Sequence, residues 1–221
     1  MARKNTWHTF YQDRSFSYSN IALHWQYLAK IISTRPKKIL EIGCGPADHS
    51  LFIKKIFPRC KIYLLDADEV IVKKIRKKSR GRFKRVYLGD VLNKEELDQL
   101  KIPFTDVVFS QGLMEHFNDR NFKKVIENFR YRTKRFIFSV PSNNYPVREF
   151  GNEILRSKEE LDRILKKIGG IRYKISPYLD IGIRTKIYWL KINRCCLSQK
   201  IKYLFFQPNH FLVTIRYLVQ S

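Results

Sequence analysis

The chain has 221 residues, with 44 Lys+Arg against 20 Asp+Glu and a formal net charge of +24. That length suits one domain with a sizeable core, and 44% apolar residues with only 9 Gly and 8 Pro exclude a disordered or low-complexity chain. Spread evenly over a surface of roughly 10,000 Å², the net charges would lie about 20 Å apart, beyond a Debye length of about 8 Å, so only clustered charge says anything about partners.

From the amino terminus, SNIALHWQYLAKII (19–32) repeats apolar residues at helical spacing, with Ile21, Trp25, Leu28 and Ile32 on one face. KKILEIGCG (37–45) reads as a buried strand ended by a glycine turn, and ADHSLFIKKIF (47–57) as the helix that follows. KIYLLD (61–66) is a second strand and DEVIVKKIRKK (68–78) a helix with Asp68 as its N-cap. RFKRVYLGD (82–90) is a third strand, NKEELDQL (93–100) a short helix capped by Asn93, and TDVVFSQ (105–111) a fourth strand. DRNFKKVIENFRYR (119–132) is a helix and KRFIFSVPS (134–142) a fifth strand stopped by Pro141. A helix over 157–168 opens with a capping box of Ser157 and Glu160, before strands over 171–176 and 210–219. Repeated strand–helix units predict one α/β domain with a parallel sheet between two helical layers.

The glycine turn is the most informative stretch. Gly43 and Gly45 follow a strand and open a helix, as a dinucleotide fingerprint does, but Asp48 stands where its third glycine belongs. A carboxylate there, with Glu41 in the preceding strand, repels a pyrophosphate at the helix N-terminus. The objection disappears for a ligand that carries adenosine, no phosphate and a positive charge. Here the chain resembles the class I S-adenosylmethionine-dependent methyltransferases, of the quinone-biosynthesis or type 11 kind. The resemblance covers about residues 36–141 and rests on four motifs in order: Glu41-Ile42-Gly43-Cys44-Gly45, Asp66 ending IYLLD, Gly89-Asp90-Val91, and FTDVVFSQGLMEHF. It implies a Rossmann-like, seven-stranded, mostly parallel sheet with the last strand antiparallel. It also implies S-adenosylmethionine as cofactor, with Glu41 supporting its ammonium, Gly43, Cys44 and Gly45 its close approach, Asp66 and Ala67 its ribose, Asp90 and Val91 its adenine, and Gln111 lining the pocket. Pro46-Ala47 departs from the small residue and glycine that many members carry there.

Glu115-His116 follow the fourth strand, at the carboxyl edge where open α/β sheets bind ligands, and His116 is the candidate general base. The chain divides into an N-terminal helical lid (1–35), a cofactor half (36–141) and a substrate half (142–221) with an insertion at 177–208. That insertion places Ile183, Ile187, Leu190, Leu197, Ile201 and Leu204 at helical spacing, interleaved with aromatic and basic residues, and is expected above the active-site face. From residue 171 onward there are nine basic residues and only Asp180 as an acid, whereas KKIRKKSRGRFKR (73–85) holds nine basic residues and no acid at the opposite edge. Such patches fit RNA, an anionic membrane surface or a solvated face alike. Four scattered cysteines form neither a disulfide scaffold nor a zinc pattern, so no metal is expected. No apolar run suits a membrane span and MARKNTWHTF lacks a signal core, so the expected setting is cytoplasmic. The expected reaction is methyl transfer to oxygen or nitrogen of a small-molecule or lipid-like acceptor. An RNA methyltransferase and a cofactor-binding regulatory protein without turnover are the competing readings.

Overall fold

Strands rich in Ile, Leu, Val and Phe, buried on both faces, need helices above and below, and the computed structural model shows that arrangement. It describes residues 7–11, 21, 24–79, 81–145, 152–178 and 209–218. The strands are β1 (Lys38–Ile42), β2 (Lys61–Asp66), β3 (Arg85–Leu88), β4 (Val107–Gln111), β5 (Arg135–Pro141), β6 (Ile171–Tyr178) and β7 (His210–Tyr217). They form one sheet in the order β3-β2-β1-β4-β5-β7-β6. β1 to β5 pair in parallel, and β7 runs antiparallel to both of its neighbours. The described helices include α1 (Trp7–Phe10), α2 (Trp25–Ile32), α3 (Asp48–Ile56), α4 (Glu69–Ser79), α5 (Lys94–Gln99), α6 (Asp119–Asn128) and α7 (Lys158–Lys166), with a short 3₁₀ turn at Met114–His116. Apolar side chains of α2, α3 and α4 fill one face of the sheet, and those of α5, α6 and α7 the other.

Local chemistry sets most helix starts. Asp68 Oδ1 accepts from the N–H groups of Val70 and Ile71, Asn93 caps α5, and Ser157 with Glu160 closes a reciprocal capping box on α7. Part of the basic run is structural, since the Arg76 guanidinium donates to Val86 O at 2.7 and 3.2 Å and so ties α4 to β3.

Two expectations are corrected. Trp25 is 53% exposed, while Tyr27, Leu28 and Ile31 are fully buried. The buried face of α2 centres on His24, Leu28 and Ile31, and Trp25, one residue on from His24, is turned about 100° away. The sixth strand runs on to Tyr178, because its antiparallel pairing with β7 continues through Pro177–Phe211 and Tyr178–His210. Proline is tolerated because β6 is an edge strand. The insertion therefore begins after 178, and the amphipathic helix expected within it lies outside the described residues. So do residues 1–6, 12–20 and 22–23 of the expected lid.

Candidate cofactor and acceptor site

The strand order reverses between β1 and β4: from β1 the chain builds outward to β2 and β3, then returns to lay β4, still parallel, on the other side. Such a switch point opens a crevice at the carboxyl ends of the strands, and the loop after β1 fills its floor. Gly43 and Gly45 adopt φ of +60° and +46°, conformations that side chains rarely enter. A Cβ on Gly43 would come within 3.0 Å of Leu113, and one on Gly45 within 3.0 Å of the Tyr11 ring. Ala47, also left-handed at φ 61°, leads into α3, whose first turn holds the buried Asp48.

Asp66 ties this loop to the end of β2. Gly45 N–H donates to its Oδ2 at 2.9 Å, Asp68 N–H to its Oδ1 at 3.0 Å, and the Cys44 thiol also bonds this carboxylate, which keeps capacity for a further donor. Burial pushes the Asp66 carboxyl up from its ordinary range, and the two backbone donors oppose that shift. Cys44 beside it is buried, its thiol pushed well up by burial and by the Asp66 and Glu41 charges, so it packs rather than reacts. Ala67 is exposed at the end of β2. Gly89 N–H donates to Asp66 O, so the third strand end is bonded to the second. Asp90, exposed, accepts from Leu92 N–H at 2.9 Å, and the buried Val91 offers its carbonyl to Asn128 Nδ2. Gln111 ends β4, half-buried.

Glu41 is 3% exposed. Its Oε1 lies 3.5 Å from His49 Nδ1, and its Oε2 has no hydrogen-bond partner among the described residues. A buried carboxylate oxygen without a partner is costly, and a ligand with a cationic donor would relieve it. Beyond β4, His116 Nδ1 lies 2.6 Å from Asn152 Oδ1 and its ring packs edge-on to Trp7 at 4.8 Å. Burial pushes this imidazole below its ordinary value, opposed by Asn152 and Glu153, so it is neutral near pH 7. Trp7 and Tyr11 thus set α1 against both His116 and the glycine loop.

The structure also assembles residues that the motifs did not single out. Alternation along the strands puts Glu41, Gln111, Ser139, His210 and Tyr178 on one face of the sheet, in adjacent register, under α2 and α3. His24 and Tyr27 from α2, and His49 from α3, close over that row. The detectable signal was a polar residue, Ser139, inside an otherwise apolar strand.

Residues 39–135 match the family model for a methyltransferase domain. No characterised protein sequence matches the chain. Among solved structures, the methyltransferase domain of bacterial CtHen1-C superposes with a TM-score of 0.63 at 12% identity, covering 91% of this chain and 100% of that one. The plantazolicin methyltransferase BpumL, solved with S-adenosylhomocysteine, gives 0.62 at 13%, covering 96% and 89%. A protein from a study of disulfide-to-thioacetal conversion in echinomycin biosynthesis gives 0.62 at 14%, covering 89% and 82%. At such identities the likeness is one of fold. Residues 39–135 therefore match a methyltransferase domain, carried on a fold that the chain shares with solved methyltransferases.

Proposed function

We propose that the crevice between β1 and β4 holds S-adenosylmethionine and that the chain methylates oxygen or nitrogen of a small-molecule or lipid-like acceptor. The observation that carries this reading is Glu41 Oε2, a buried carboxylate oxygen still lacking a partner among the described residues. The cofactor's ammonium is the donor it lacks. In this reading Asp66 takes the ribose hydroxyls on its remaining acceptor capacity, and Gly43, Cys44 and Gly45 allow close approach of the backbone. Ala67, Asp90, Val91 and Gln111 line the remainder. When bound, S-adenosylmethionine supplies an already activated methyl group, so the chain's own work is holding and orienting the acceptor. His116, neutral near pH 7, is placed to take a proton from a hydroxyl or amine acceptor.

BpumL, which shares the fold, was solved with azolic desmethyl-plantazolicin analogues, in keeping with an extended small acceptor. The basic residues Lys38, Lys61, Lys84 and Arg85 sit at the amino ends of β1 to β3, far from this crevice, which argues against a role for them in presenting RNA to the methyl group. The test is methyl-labelled S-adenosylmethionine incubated with separated RNA, lipid and small-metabolite fractions of host extract. Label should appear in the lipid or metabolite fraction. Label in RNA alone overturns the acceptor class, and none anywhere favours a regulatory protein.

A further inference from the structure

His24, His49 and His210 meet on the α2/α3 side of the sheet, each at most 8% exposed. The His24 ring centroid lies 5.7 Å from those of both His49 and His210. Aromatic rings wall the group: Tyr27 at 5.8 Å from His49, and Tyr178 at 5.3 Å from His210. At the Tyr178 end the polar atoms satisfy one another, the Tyr178 hydroxyl meeting both Ser139 Oγ and His24 Nδ1. At the other end they do not. Tyr27 OH and His49 Nε2 are buried with no hydrogen-bond partner among the described residues, beside the equally unpartnered Glu41 Oε2. Buried polar atoms are nearly always paired, so three orphans in one place mark where something else binds. An ammonium on Glu41 accounts for one of them and leaves two, His49 Nε2 and the Tyr27 hydroxyl, on rings 5.8 Å apart.

The charge of the missing group follows from its surroundings. Burial and mutual proximity hold His24 neutral, and burial alone holds His210 neutral, with its ionisation pushed down to about 3. The titratable groups acting on His24 are His210 and His49, and those acting on Tyr27 are Glu41 and Tyr178. None of these is a fixed cation that would hold an anion. A second cation would compete with the cofactor for Glu41. An uncharged, flat, hydrogen-bonding group remains.

We propose that this side-chain cluster is the acceptor subsite, opening to take an uncharged phenol-like hydroxyl that donates to His49 Nε2 and accepts from the Tyr27 hydroxyl. The inference rests on the cofactor reading given above. It is tested by titrating the full chain, saturated with S-adenosylhomocysteine and carrying isotope-labelled histidine, with phenol, benzoate and benzylamine while the imidazole resonances are followed. Phenol should move the resonances of His24, His49 and His210 saturably, whereas benzoate and benzylamine should not. Tyr27→Phe removes a hydroxyl that makes no hydrogen bond among the described residues, so its melting temperature should hold or rise while phenol affinity drops about tenfold. His49→Gln should weaken phenol by a similar factor. Failure of phenol to shift these resonances, equal affinity in both variants, or equal response to the charged probes overturns the subsite. Should S-adenosylhomocysteine itself not bind in calorimetry, the cofactor reading falls, and this inference with it.

Discussion

Glu41→Gln tests the site most directly, because one change should move stability and binding in opposite directions. In the free protein the carboxylate is 3% exposed, one oxygen 3.5 Å from His49 and the other unpartnered among the described residues. Leaving such a group unsatisfied costs about 1–3 kcal/mol, and an uncharged amide of the same shape recovers part of it. We expect Glu41→Gln to stabilise the free protein by about 1 kcal/mol, a rise of about 2–4 °C in melting temperature for a chain of this size. In the proposed site a charge-assisted bond from the cofactor's ammonium to Glu41 would be worth about 1.5–3 kcal/mol, so affinity for S-adenosylhomocysteine should fall on the order of a hundredfold. At a ligand concentration of about 100 Kd for the wild type, ligand stabilises the wild type by about 2.7 kcal/mol and the variant by only about 0.4 kcal/mol. Melting curves recorded with and without ligand should therefore cross: variant above wild type when free, below it when bound. A variant less stable in the free form and unchanged in ligand response would refute the argument that Glu41 is held in reserve for a cation.

Asp66→Asn should destabilise by about 1–3 kcal/mol, because the amide can satisfy Gly45 N–H or Asp68 N–H but not both; chemical denaturation measures it, and no loss would mean that these bonds contribute nothing. Lys101, exposed at φ 49° just beyond α5, should gain about 0.5–1 kcal/mol on replacement by Gly, the relief of left-handed strain less the entropy of glycine, and a loss of stability would refute it. His24 and His210 have lowered ionisation in the fold, so the stability they contribute is present above about pH 6.5 and declines as pH falls below it. With both neutral in the fold and charged when unfolded, stability should fall by about 2.7 kcal/mol per pH unit near pH 5, and uptake of less than one proton on unfolding there would contradict it.

The strands and turns around the glycine loop were legible because their signals are local. A buried strand running into Gly43-Cys44-Gly45, or ending at Asp66, advertises itself within ten residues, and each cap lies three residues from the N–H that it satisfies. The histidine cluster was not legible for the opposite reason. His24, His49 and His210 are far apart in the chain, and they meet only because antiparallel register sets His210 opposite Pro141 and Tyr178. Nothing short of that register distinguishes them from surface histidines. The face of α2 was misread because Trp25 outweighed Tyr27 as an apolar residue, whereas the hydroxyl end of Tyr27 points into a polar interior.

The place of β7 in the sheet has a consequence for the order of assembly. Because it lies between β5 and β6, segment 171–178 has no seat on the sheet until segment 210–217, made later, slides in beside β5. A nascent chain can lay down the five parallel strands and their cofactor loop early, yet His210 and Tyr178 arrive together and last. Deleting β7 would unseat β6 as well, while leaving the parallel strands and the glycine loop paired. Synthesis therefore builds the glycine loop first, and the histidine cluster only when β7 docks.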